Sequence, residues 1–189
     1  FNDFGPDIRW CGNEAGKPRH SEWAVIPSEL CHLGRVQTGP GPMAEEGSLS
    51  WIYNTEQELG TMPNILYTKG LTFTPTEINM SIRPGWFYHA DQDNQVKSLS
   101  HLVDIYFKSV GYNSVLLLNI PPDLRGRIHE SDVQRLKEWG DEINRRFSSP
   151  IASASGQKKS LTLKLDKPQA VNHCIIQENI ANGERIRRI

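Results

Sequence analysis

Apolar and polar positions alternate most clearly in the middle of the chain. Over residues 77–89, "EINMSIRPGWFYH", Ile78, Met80 and Ile82 recur at a period of two. That period puts them on one face of a strand, which then runs out into Arg83 and an aromatic cluster. Val96, Leu99, Leu102, Val103, Tyr106, Phe107 and Val110 follow at spacings of three and four, the apolar stripe of a helix. Asp93 or Asn94 can cap its start and Gly111 its end. "SVLLLNI" (114–120) is a continuous apolar run stopped by Pro121 and Pro122, as expected of a strand covered on both faces in a parallel sheet. Residues 129–147 return to helical spacing, with Val133, Leu136, Ile143 and Phe147 inward. Gly140 costs that helix about 1 kcal/mol against Ala and marks a place for it to bend or break. Strand, helix, buried strand, helix is the unit of an α/β fold with parallel strands.

Outside this stretch the rhythm differs. "FNDFG" (1–5) reads as the end of a strand, closed by Gly5 and Pro6. Residues 7–76 are mostly loop-like, with "TGPGP" (38–42), "GTMPN" (60–64) and two short apolar runs, "WAVI" (23–26) and "SWIY" (50–53). A loop region of that length within a compact domain points to function. Residues 148–160 are small and polar and read as a linker. Leu161, Leu163 and Leu165 then alternate with polar residues, and residues 170–180 form a second strand candidate. Two strands do not make a domain alone. The expected organisation is one α/β unit over 1–147, a linker over 148–160, and the truncated start of an antiparallel β-sandwich over 161–189.

Charge narrows the function classes. Lys and Arg number 21 against 22 Asp and Glu, a net charge of -1. That balance gives no reason to expect a nucleic acid or an anionic membrane as partner. No apolar run approaches the roughly 18 residues of a membrane span. The first residues lack Met, a basic region and a cleavage site, so the chain reads as cut from something longer. Its three cysteines form no Cys-x-x-Cys pair, which leaves either a bridge between Cys11 and Cys31 or three separate thiols. The histidines at 20, 32, 89, 101, 129 and 173 show no metal-ligand spacing. There is also no nucleophile elbow, dinucleotide fingerprint or P-loop. No metal and no cofactor are expected.

Candidate chemistry gathers elsewhere. "DIRWCGNEAGKPRH" (7–20) places Asp7, Arg9, Trp10 and Glu14 among glycines with no hydrophobic period. In barrels of alternating strands and helices the active site lies at the C-terminal strand ends. Asp3, Asp7, Arg9 and Glu14 follow the first strand. Arg83, Trp86, Tyr88 and His89 follow the second, and Asn119 and Asp123 end the third. Ring faces pack on the apolar faces of sugars while charged and amide groups bond hydroxyls. Glycoside hydrolysis uses two carboxyl groups. Taken singly, each residue also has a plainer reading: Trp86 and Phe87 as core, Glu14 as a solvated acid.

"FNDFGPDIRWCGNEAG", "INMSIRPGWFYH" and "SVGYNSVLLLNIPPDLRGRIHESDVQRLKEWG" together resemble the α-L-fucosidases of glycoside hydrolase family 29. The resemblance covers most of residues 1–147, and "LDKPQAVNHCIIQENIANGERI" is similar to the β-sandwich that follows the barrel in that family. It implies a partial (β/α)8-type, TIM-like barrel and release of terminal L-fucose with retention. "GPDIRW" followed by "GNE" looks like the branch that acts on α-1,3- and α-1,4-linked fucose. Carried over residue by residue, Glu14 is the general acid/base and Trp86 lines the fucose pocket. Arg9 is a contact to fucose or the nucleophile, and Trp10 and His89 are further substrate-binding candidates. The nucleophilic Asp of the family falls on the strand before Phe1, outside this chain, and the "FND" setting of Asp3 does not match it. The implied partner is a fucosylated oligosaccharide or glycoprotein glycan, met in the periplasm or outside the cell. A carbohydrate-binding protein without catalysis, or a barrel glycosidase for another sugar, are the alternatives.

Overall fold

The computed structural model describes residues 8–10, 14–18, 23–28 and 60–179. The expected strand at 1–5, the run at 50–53, Asp3, Asp7, Cys11 and Cys31 lie outside them. The described elements are β1 (Arg9–Trp10), β2 (Val25–Pro27), α1 (Met62–Ile65), β3 (Leu71–Phe73), β4 (Thr76–Ser81), α2 (Leu99–Ser109), β5 (Val115–Asn119) and α3 (Glu130–Phe147). Two sheets result. β1, β4 and β5 form a parallel sheet with β4 in the centre, and β2 pairs with β3 antiparallel.

β4, α2, β5 and α3 realise the strand–helix–strand–helix unit read from the sequence. Thr76, Ile78, Met80 and Ile82 alternate into the interior and are all nearly inaccessible. Leu102, Val103 and Ile105 bury the matching stripe of α2, which packs on β5 and α3. The register pairs Ile78 with Leu116 and Met80 with Leu118, so these four share one face. Glu77, Asn79 and Ser81 share the other face with Val115, Leu117 and Asn119.

That second face corrects the expectation for residues 114–120. Val115 is 41% exposed and Leu117 49%, so β5 is covered on one face only. Its apolar run identified a strand, but β5 is an edge of the described sheet, and among the described residues its second face is open at Val115 and Leu117. An apolar run alone does not tell one covered face from two.

Both long helices form, with different ends. α2 starts after Ser98, whose hydroxyl accepts from the His101 N–H at 3.2 Å, a side-chain cap for a free amide. Asp93, expected there, is drawn to Arg83 instead. Past Ser109 the chain tightens into a 3-10 turn over Val110–Tyr112, and Asn113 (φ 64°) ends it where Gly111 was expected. Asparagine is among the few residues that take this conformation readily. α3 runs through Gly140 unbroken. It opens with Glu130 and Asp132 and closes with Arg145 and Arg146, charges that oppose its dipole. Salt bridges at three- and four-residue spacing, such as Arg146 with Glu142, reinforce it. Val133, expected inward, is 51% exposed, while Leu136, Ile143 and Phe147 are half-buried.

After α3 the chain is irregular. Residues 161–165 and 170–179 carry no strand, and Leu161 and Leu163 are exposed. Alternation marks residues able to form a one-sided strand, but a strand needs partners to take its hydrogen bonds. One anchor stands out. The His173 ring stacks on Phe107 of α2 at 5.3 Å and meets Phe147 of α3 edge-on at 5.4 Å. Cys174 beside it is free and exposed. Among the described residues no helix is long and apolar enough to cross a membrane.

Candidate active site at the strand ends

Because β1, β4 and β5 are parallel, their C-terminal ends lie on one edge of the sheet. The segments that leave this edge hold Glu14 after β1, Trp86 to His89 after β4, and Asn119 to Asp123 after β5.

β1 was not expected: residues 7–20 read as loop throughout. Two residues sufficed to join the edge of β4, with Arg9 opposite Thr76 and Trp10 opposite Glu77. A strand this short has no detectable period. Its register separates the two neighbours. Arg9 falls on the covered face, only 5% exposed, and donates through Nε to the Thr74 carbonyl at 3.0 Å and through Nη2 to the Trp23 carbonyl at 2.8 Å. These two bonds tie the parallel sheet to the segments that flank the β2–β3 pair. Trp10 falls on the open face with Glu77 and is 50% exposed.

Glu14 is exposed and lies two residues before Gly16. Trp10 is in register with Glu77 of β4, and six residues on the Gly16 N–H donates to the Asn79 carbonyl at 3.1 Å. The segment holding Glu14 is therefore tied to β4 on either side. Gly16 makes the second tie feasible. Its φ is 68°, and a Cβ there would stand 3.0 Å from the Met80 sulfur.

The segment after β4 folds around Arg83. This guanidinium is wholly shielded. Nε donates to both oxygens of Asp132, at 3.1 and 2.9 Å, and Nη1 to Asp93 at 2.9 Å and to the His89 carbonyl at 3.4 Å. Burial alone would lower its pKa, but the bonds to Asp132 and Asp93 outweigh that and raise it. The Tyr88 ring lies 4.8 Å from the guanidinium carbon, and its hydroxyl donates to Asp93 at 3.3 Å. Burial, then the Asp93 charge, raise the Tyr88 pKa, so this hydroxyl stays protonated. Lys97 closes the strand end, its ammonium donating to the carbonyls of Ser81 (2.6 Å) and Arg83 (3.0 Å). Burial lowers its pKa.

These contacts sort the candidates. Arg83 and Tyr88 hold the loop and are not presented to a ligand. Trp86 is half-buried, and Phe87, which the plainer reading put in the core, is 78% exposed. His89 is exposed, and its backbone carbonyl ties the loop back to Arg83. Asp123 is spent on its own turn. Its carboxylate accepts from the Arg125 and Arg127 N–H groups and from the Arg125 side chain, which holds its pKa down to about 2. Sequence reasoning missed Asp93, Lys97 and Asp132 as members of this site. Asp93 and Lys97 lie farther along the same connection and Asp132 on α3, and only the fold reveals the pairing. Asn119 joins two strand ends and the loop: its amide donates to Ser81 Oγ at 3.1 Å and to the Trp86 carbonyl at 3.0 Å.

The geometry is an open, aromatic strand-end surface, with the exposed Glu14 on a segment tied to β4. A cavity of about 420 Å³ lies elsewhere, between residues 15–18 and α2.

The sequence profile of α-L-fucosidases matches residues 2–146. The chain belongs to the α-L-fucosidase family. It is 32% identical over 152 residues to alpha-L-fucosidase 1 of Arabidopsis thaliana, a match covering 80% of this chain and 25% of that protein. A solved Bacteroides thetaiotaomicron protein assigned as an α-L-fucosidase is 41% identical, with a TM-score of 0.71 over 97% of this chain and 38% of that one. A family 29 fucosidase of Ruminococcus gnavus, solved in complex with fucose, is 25% identical, with a TM-score of 0.53 over 76% of this chain and 24% of its own. The chain thus spans about a quarter to a third of the length of the curated fucosidases it matches.

Proposed function

We propose that this chain supplies part of the catalytic domain of a retaining α-L-fucosidase acting on terminal α-1,3- or α-1,4-linked fucose of oligosaccharides and glycoprotein glycans outside the cytoplasm. The observation that carries the reading is the exposed Glu14, held two residues before the Gly16–Asn79 bond on a parallel sheet whose central strand runs out into Trp86 and Phe87. The parallel β1–β4–β5 sheet with its two helices is then a sector of a (β/α)8 barrel.

In the first step a carboxylate, assigned by the family resemblance to an Asp on the strand before Phe1, attacks the anomeric carbon of fucose. Glu14 gives its proton to the departing glycosidic oxygen. In the second step Glu14 takes a proton from water, which attacks the same carbon and releases fucose with its configuration retained. The two carboxyl groups must differ in protonation, the nucleophile ionised and the acid protonated. Trp10 and Trp86 offer ring faces to the apolar face of the sugar. His89 is a further polar contact at the same edge. No metal or cofactor enters this chemistry.

The test is release of L-fucose from 4-nitrophenyl α-L-fucoside and from α-1,3- and α-1,4-fucosylated oligosaccharides by the full-length protein. Hydrolysis supports the reading. Fucose binding without hydrolysis would instead make it a carbohydrate-binding protein, and hydrolysis of another glycoside alone would make it a different glycosidase.

A further inference from the structure

We propose that Asn119 is a positioning residue for the sugar site, acting through the main chain of Trp86. It rests on the reading that Trp86 contacts the sugar.

Asn119 is the last residue of β5 and pairs in register with Ser81, the last residue of β4. Its single amide nitrogen has two N–H groups, and both are used. One donates to Ser81 Oγ at 3.1 Å and fixes the amide to the neighbouring strand. The other donates to the Trp86 carbonyl at 3.0 Å. The Ser81 hydroxyl oxygen also accepts from the Arg83 N–H at 3.3 Å, so this small network joins both strand ends to the loop.

The loop needs such a hold at this point. Arg83 fixes its beginning, and Tyr88 and His89 return to the Arg83 guanidinium. Between them Pro84 is exposed, and a Cβ on Gly85 would meet nothing within 4 Å. Packing therefore does not set the course of the chain into Trp86. The Asn119 bond lies where that unpacked stretch ends, and it determines where the ring emerges. An amide suits the task, since it donates to both oxygens at every pH, whereas a carboxylate would oppose the Trp86 carbonyl.

Kinetics of the full-length protein with 4-nitrophenyl α-L-fucoside test this, comparing W86A, N119D and the double variant. N119D is expected to raise KM about tenfold with a smaller change in kcat, as a displaced contact does. Added to W86A, it is expected to raise KM no further. If W86A raises KM but N119D does not, or if the two effects multiply, the positioning role of Asn119 is overturned while the reading of Trp86 stands. Wild-type KM in W86A overturns both. If N119D does not fold, N119A, which places no charge beside the carbonyl, takes its place with the same required outcomes.

Discussion

Arg83 and Asp132 meet in a fully shielded pair, the guanidinium Nε within 3.1 Å of both carboxylate oxygens. One lies two residues past β4 and the other in the first turn of α3, so the bond ties the aromatic loop to the helix that follows the next strand. Removing one partner of a buried pair leaves the other charge uncompensated, at a cost of about 3–5 kcal/mol. R83M and D132N are each expected to lose stability on that scale in urea unfolding. The double variant R83M/D132L is expected to lose less than the sum, because neither member of the fully buried pair is left as a lone charge.

Arg9 and Trp10 are adjacent in sequence and lie on opposite faces of the sheet, so their variants should separate. R9M leaves the Thr74 and Trp23 carbonyls without this donor and is expected to cost about 1–3 kcal/mol of stability, with KM near wild type in the folded protein. W10A is expected to raise KM several-fold with the unfolding midpoint little changed. Steady-state kinetics beside thermal unfolding of the same preparations checks both.

Gly16 ties the segment after Glu14 to β4 in a left-handed conformation against the Met80 sulfur. G16A is expected to cost about 1–2 kcal/mol from backbone strain alone. It is also expected to lower kcat, because the segment it ties carries Glu14. A wild-type kcat in G16A would show that this tie does not govern the carboxylate.

How much of this was legible in the sequence depends on the length of each signal. β4, α2, β5 and α3 carry runs long enough to show a period, and each appears where its pattern placed it. β1 has two residues and no period, so its register, and with it the opposite fates of Arg9 and Trp10, was invisible. Caps compete in a way that sequence does not reveal: Asp93 is a good capping residue, but a buried guanidinium is a stronger partner. The alternation of Leu161, Leu163 and Leu165 is a property of the segment alone, whereas a strand is a property of a pair. For the site, Glu14 and Trp86 came from family motifs. Their support is hydrogen bonding to main-chain carbonyls, from the Asn119 amide to Trp86 and from the Gly16 N–H to Asn79, which leaves no motif.

Asp123 makes acid stability measurable. Its pKa falls from an ordinary 3.8 to about 2 because Arg125 and two backbone N–H groups favour the carboxylate. A carboxyl group depressed in the folded state stabilises above its unfolded pKa and loses that contribution as pH falls through the folded one. The urea midpoint is therefore expected to drop between about pH 4 and pH 2, and D123N to flatten that slope. Glu142, also held down to about 2 by Arg145 and Arg146, titrates in the same window, so E142Q flattens it further.

The central claim is that Glu14, on its segment tied to β4, is the acid/base of a retaining fucosidase. Its most direct test is E14A in the full-length protein, assayed on α-L-fucosides with poor and good leaving groups, with and without azide. The account predicts a loss of about 100-fold or more with the poor leaving group, which needs the proton. With the good leaving group, azide, which needs no base, is expected to restore turnover. Unchanged hydrolysis of the poor substrate, together with no azide rescue on the good one, would contradict it.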